Sequence, residues 1–253
     1  MDITINELLQ GKSTIIKNKN YFPTKAYVEP FLEQMSKHTD DFRISVKIPD
    51  QLTTLEGDTD ITYNRVLIQA VMPDEFYNNH REVVGFLYGL DVRKPVVKLY
   101  RGGLNMACTN LCVFNPDFLH IQELQPETAI NIKPVKELMD RQSDLALALK
   151  NLKEMSWDKN DLNIERNLGQ WIRNAINCSY DNGFGKAKLA TSTVIDAYKL
   201  LFEKEDSPYF IKDDKIDGFT IYNAFTELIS NDGGKDIFNK TEKTLLLREI
   251  LEF

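Results

Sequence analysis

Histidine is scarce in this sequence, with three residues among 253: His38, His80 and His120. That scarcity argues against a zinc hydrolase or a Cys–His nucleophile pair, because both need imidazole beside a metal or a thiol. Cysteine is equally rare, with Cys108, Cys112 and Cys178 alone. An odd, small set makes no disulfide framework, so the thiols are expected to be reduced and buried in a cytoplasmic protein. No apolar run reaches the roughly 18 residues that a bilayer-spanning helix requires. The opening Met1-Asp2-Ile3-Thr4-Ile5-Asn6-Glu7 lacks the basic stretch and apolar core of a secretory signal. A cytoplasmic location follows as the expectation, with no membrane partner.

A basic excess is missing as well. The formal net charge is −7, from 31 basic and 38 acidic side chains. Residues 1–130 carry 13 basic and 17 acidic groups, and residues 131–253 carry 18 and 21, so neither half is a basic nucleic-acid-binding domain by bulk charge. Apolar residues make up 42%, enough for a substantial core.

The apolar pattern changes period along the chain. Residues 1–24 are polar and expected to cover the fold loosely. A short helix is predicted over about 29–38, with Pro30 near its start. Phe42-Arg43-Ile44-Ser45-Val46-Lys47-Ile48 alternates strictly and predicts a strand with one wet face. Further strands are predicted over 61–71, 83–90, 96–101, 104–114 and 118–124, with turns at 91–95 and at Gly102-Gly103. From Pro134 the spacing turns helical: about six turns to Leu152, then helices from 162 to 176, 189 to 202, 220 to 229 and 243 to 251. Strands first and helices second is the α+β pattern. The expected architecture is an N-terminal antiparallel β-meander packed by a C-terminal set of about five helices, in one domain over 1–253 divided near residue 130.

Several motifs imitate chemistry without its context. Gln10-Gly11-Lys12-Ser13-Thr14 resembles the end of a P-loop, but position 6 is Asn and too little chain precedes it for the feeding strand. Gly183-Phe184-Gly185-Lys186 falls between helices, where a helix C-cap and turn account for it. Cys108 and Cys112 share a predicted strand face, yet a metal would need two more ligands, and His120 is the only imidazole near them. Asp40-Asp41 and Asp213-Asp214 read as solvated loops. No cofactor or metal is expected.

Two stretches run against the acidic balance. Residues 81–101 carry Arg81, Arg93, Lys94, Lys98 and Arg101 against Glu82 and Asp91, and residues 166–188 carry Arg166, Arg173, Lys186 and Lys188 against Asp181. Trp171 and Phe184 are interleaved with the second. Cations beside aromatics suit a single-stranded nucleic-acid groove, which must hold phosphates and stack bases. A solvated sheet edge uses the same residues to prevent edge-to-edge pairing, and both accounts stand.

The segment Tyr100-Arg101-Gly102-Gly103-Leu104-Asn105-Met106-Ala107-Cys108-Thr109-Asn110 resembles the arginine–cysteine–asparagine stretch of a phage/plasmid-like family, a domain of unknown function. Thr220-Ile221-Tyr222-Asn223-Ala224-Phe225-Thr226-Glu227 is similar to that family's tyrosine–asparagine–x–x–threonine–glutamate helix. The resemblance covers about residues 60–235 and departs at Leu111, where the family usually has glycine. It implies a phage or mobile-element origin and no reaction.

Three functions follow as expectations. The first is an accessory of DNA metabolism, recombination- or annealing-like, that binds single-stranded DNA and forms homo-oligomers. Its binding residues are Arg93, Lys94, Lys98, Arg101, Arg173, Lys186 and Lys188. The second is a non-enzymatic interaction protein, a virion component or an inhibitor of a host system, with a host or phage protein as partner. The third is an enzyme, for which no catalytic residue is assigned. Asn105, Asn110, Tyr222, Asn223 and Glu227 are expected to brace the fold or line a cleft, Asn223 and Glu227 being four apart on one helical face.

Overall fold

The computed structural model describes residues 4–10, 14–16, 19–21, 24–47, 65–77, 79–89, 95–106, 111–112, 117, 119–125, 128–140, 145–158, 164–181, 186–212, 215–231 and 239–251. Among them, the N-terminal segment is more ordered than its polar sequence predicts. Helix α1 (Ile5–Leu9) starts with a capping box: Thr4 Oγ1 accepts the Glu7 amide at 3.2 Å, and the Glu7 carboxylate accepts the Thr4 amide at 2.7 Å. It packs on α2 (Thr24–Met35), and Leu8 is fully buried. Strands β1 (Thr14–Ile16) and β2 (Lys19–Tyr21) pair antiparallel between the two helices in sequence. The predicted loose cover is corrected on that account. Pro30 lies inside α2 rather than near its start. The stripe Tyr27, Val28, Phe31 and Met35, all fully buried, holds the helix around the proline, which donates no hydrogen bond of its own.

The sheet is antiparallel, in the order β3 (Phe42–Lys47), β4 (Arg65–Tyr77), β5 (His80–Gly89), β6 (Val96–Asn105). The far edge of β6 takes two strands: β7 (Leu111–Cys112) opposite Gly103 and Leu104, and β8 (Leu119–Glu123) opposite Val96 to Tyr100. Strand β3 follows the predicted alternation. Strand β4 runs past its predicted end, through Pro73, and it does so beyond the last β3 pair, Phe42 with Ala70, where no β3 carbonyl needs a donor. Asn79 directly precedes β5. Asn79 has φ of 62°, the left-handed conformation that tight hairpins require.

Gly102 and Gly103 do not form the predicted turn, because both lie within β6. A Cβ on Gly103 would stand 3.1 Å from the Phe76 ring and 4.0 Å from His80, so glycine here admits an aromatic against the strand. Gly85 in β5 has the same role more acutely. A Cβ there would fall 1.9 Å from Cζ of Tyr100, whose hydroxyl accepts a hydrogen bond from Gln69 at 3.1 Å.

The chain divides into two compact units whose limits cross β4, β5 and β6: residues 1–74, 82–101 and 117–142 form one, and residues 75–81, 102–116 and 143–253 the other. In the first unit, alternate residues Val66, Ile68 and Ala70 of β4, Val84, Phe86 and Tyr88 of β5, and Val97 and Leu99 of β6 share one core with the α2 stripe. Phe31 meets Phe86 at 5.2 Å between centroids, and Tyr27 meets Tyr88 at 5.8 Å. Helix α3 (Lys133–Asp140) adds Val135 and Leu138 to that core.

The second unit holds α4 (Leu145–Glu154), β9 (Ser156–Asp158), α5 (Ile164–Asn177), β10 (Tyr180–Asp181), β11 (Lys186–Ala187), α6 (Thr191–Phe202), β12 (Lys215–Asp217), α7 (Gly218–Asn231) and α8 (Lys240–Leu251). The predicted six-turn helix from Pro134 is found as α3 and α4. Their apolar faces serve different cores, Val135 and Leu138 in one, Leu149 and Leu152 in the other. Helix α7 contacts α4, α6 and α8, and its Phe225 meets Trp171 of α5 edge-on at 5.8 Å. Strand β7 packs against α7 and α8. His80 is fully buried among Phe76, Tyr77 and Phe219, with Nδ1 3.1 Å from the Tyr77 carbonyl. The observed fold is α+β, a sheet in the first half of the chain and helices in the second. Among the described residues no helix is long and apolar enough to cross a membrane.

Gly85→Ala is expected to lower the unfolding free energy by about 2 kcal/mol, since the buried Tyr100 ring has to move; urea denaturation monitored by circular dichroism measures it. Burial pushes the phenols of Tyr88 and Tyr100 well above their ordinary value of 10.0, against the opposing hydrogen bonds from Thr24 and Gln69. A raised native value means that the unfolded chain releases these protons first. The stability they contribute is therefore whole below pH 10 and falls as pH rises beyond it. Denaturation midpoints between pH 8 and 12 should decline less steeply in Tyr88→Phe and Tyr100→Phe.

Candidate nucleic-acid interface

Among the described cations of the central-strand stripe, Lys98 and Arg101 do not present their charge to solvent. Lys98 is 1% exposed and Arg101 is 7% exposed. Arg101 Nε donates to Glu82 Oε1 at 2.6 Å and its Nη2 donates to Oε2 at 2.9 Å, a bidentate pair between neighbouring strands. Its Nη1 donates to the carbonyls of Leu138 at 2.7 Å and Met139 at 3.3 Å. Those carbonyls belong to the last turn of α3, where a helix has no amides left to offer. The expectation that Lys98 and Arg101 track phosphate is corrected here: Lys98 lies inside the sheet, and Arg101 joins β6, β5 and α3. Arg93 and Lys94 lie outside the described residues.

The second stripe is more open. Arg173 on α5 is exposed and donates to Gln170 at 2.7 Å. Lys186 is exposed on β11 opposite Asp181, and Lys188 is exposed just beyond it. The Arg166 side chain and Phe184 lie outside what is described. Trp171 is 8% exposed and belongs to the core, so it offers no stacking face.

Of the bracing residues, Asn105 ends β6 half-buried, and Asn110 is outside the described residues. Tyr222 and Asn223 are 2% and 4% exposed on α7, and Glu227 is half-buried one turn on. The Asn223 amide donates to the Phe219 carbonyl at 2.9 Å, within its own helix. Cys178 is half-buried with its thiol pushed up, chiefly by burial, then by the nearby Glu249. Cys108 and the Cys112 side chain lie outside the described residues, and no group of three or more metal-ligating side chains occurs among those that are described. Burial holds the His120 imidazole below its ordinary range, with the Glu137 charge opposing.

Sequence reading missed a groove in the second unit. Strands β9 and β12 pair antiparallel, Trp157 opposite Ile216, and so bring the end of α4 beside the start of α7. The groove they border measures about 430 Å³ and is lined by Lys153, Lys212 and Lys215, by Tyr209 and Phe210, and by Asp217. Lys153 Nζ lies 2.6 Å from Asp217 Oδ2 and 6.0 Å from the centre of the Phe219 ring. Asp217 Oδ1 accepts the Thr220 amide at 2.7 Å, capping α7, so one carboxylate fixes both the helix start and the lysine. Among the described lining residues three ammonium groups face one carboxylate. Asp213 and Asp214, between Lys212 and Lys215 in sequence, lie outside the described residues. Nothing local marks this site, since its lysines are separated by up to 62 positions and meet through one short strand pair.

No protein-family model, curated protein or solved structure matches the chain.

Arg101→Ala, which strands the Glu82 carboxylate and two helix carbonyls, should cost about 3 kcal/mol of stability. Lys188→Ala should stay within about 0.5 kcal/mol. Urea titration of the two variants separates a structural arginine from a surface lysine.

Proposed function

We propose that this chain binds single-stranded nucleic acid through its second unit, as a non-catalytic accessory of DNA metabolism. The reading rests on one observation: Lys153, Lys212 and Lys215 share a groove with Tyr209 and Phe210. Ammonium groups at the rim suit phosphates, and tyrosine and phenylalanine rings suit unpaired bases, each stacked base contributing roughly 1–3 kcal/mol. Exposed Arg173, Lys186 and Lys188 in the same unit add positive charge. The resemblance to phage/plasmid-like proteins gives this activity a setting in a mobile element.

A second reading is favoured by the net charge of −7, which opposes the approach of a polyanion and suits a protein partner. On that reading the chain is a non-enzymatic interaction protein, and the lysine groove takes an acidic peptide segment.

Fluorescence anisotropy with a labelled single-stranded oligonucleotide tests the first reading. Affinity should fall steeply with salt, and the triple variant Lys153→Gln/Lys212→Gln/Lys215→Gln should flatten the plot of log K against log salt by about 2, from roughly 0.7 per lost phosphate contact. No binding at low salt, or an unchanged slope, would overturn it, and retention of an acidic peptide by the same protein would support the second.

A further inference from the structure

A separate pocket lies among α4, α7 and α8, with a volume of about 210 Å³. On α4 its wall follows a single helical stripe, Ala148, Asn151, Leu152 and, one step past the helix end, Met155. Thr244 and Arg248, four apart on α8, form the facing wall, and Tyr222 of α7 completes the lining. Leu152, Tyr222 and Thr244 are 6%, 2% and 1% exposed, so the pocket has a buried floor and does not lie on a flat surface.

The chemistry of the lining is divided. Ala148, Leu152 and Met155 supply an apolar wall, and Arg248 and Asn151 are the exposed polar residues of the lining. Among the described residues Arg248 forms no ion pair, in contrast to Arg101 with its Glu82. A guanidinium beside an apolar recess matches a ligand with a carboxylate at one end and a compact hydrocarbon body at the other, because its fork fits two carboxylate oxygens at once. Size narrows the class further. A cavity of about 150 Å³ accommodates benzene, so this one admits a single ring or a short branched chain plus its carboxylate.

We propose that this pocket binds a small apolar monocarboxylate, with Arg248 and Asn151 holding the carboxylate and the α4 stripe covering the body. The site is independent of the lysine groove and of the reading built on it.

Calorimetric titration of the full chain with benzoate, benzyl alcohol and acetate tests this. Benzoate should bind, and benzyl alcohol and acetate should each bind at least about tenfold more weakly, since each lacks one half of the match. Arg248→Gln should weaken benzoate about tenfold while the melting temperature without ligand stays put, because the side chain is exposed and unpaired among the described residues. Ala148→Leu, which fills the recess from a half-buried position, should remove benzoate binding. The lysine-groove triple variant should bind benzoate as the wild type does. Absence of benzoate binding at about 10 mM, equal affinity in Arg248→Gln, or loss in the lysine triple variant would overturn the proposal.

Discussion

The bidentate pair between Arg101 and Glu82 organises the first unit. Two charges leave water at a cost of several kcal/mol, a cost offset by four hydrogen bonds from the guanidinium to acceptors. Glu82 supplies two of those acceptors from β5, and Leu138 and Met139 supply the others from the last turn of α3. The arginine therefore fixes the spacing of two strands and the end of a helix that lies 37 residues downstream. The positive charge near a helix C-terminus also opposes the partial negative charge that its free carbonyls carry. Val135 and Leu138 reach the core from a helix anchored in this way.

The elements that were legible in the sequence are those whose period has one cause. Phe42 to Lys47 alternates because β3 has one buried face, and Leu168, Trp171, Ile172 and Ala175 recur at helical spacing because α5 has one buried stripe. Glycine is ambiguous in sequence because it serves two purposes. Gly102-Gly103 has the composition of a turn, yet at Gly103 the missing side chain makes room for Phe76 within a continuous strand. Basic residues were ambiguous for a similar reason. Lys98 and Arg101 have the composition of a binding stripe, and only the position of Glu82 and of the α3 carbonyls decides that Arg101 is internal. The stretch from Pro134 to Leu152 kept one helical period although its two ends belong to different cores, a distinction that periodicity does not carry.

Both proposed sites depend on α7. Its first turn is fixed by Asp217, whose second oxygen holds Lys153 at the groove, and Tyr222 one turn later lines the small pocket. Within α7 the Asn223 amide donates to the Phe219 carbonyl, bracing the helix against itself. The lysines came together through β9 and β12, three residues each, which is too short a pairing to be read before the fold is known.

The contact between Gly85 and Tyr100 also constrains how this chain can change over generations. With the ring in place, any side chain at position 85 starts inside an occupied volume, a Cβ falling 1.9 Å from Cζ. Position 85 can diversify only after position 100 has given up its ring, and a smaller residue at 100 first opens a void above the glycine. Either order passes through a weaker intermediate. The two positions are thus expected to be inherited as a pair, and a relative that differs at one of them should differ at the other.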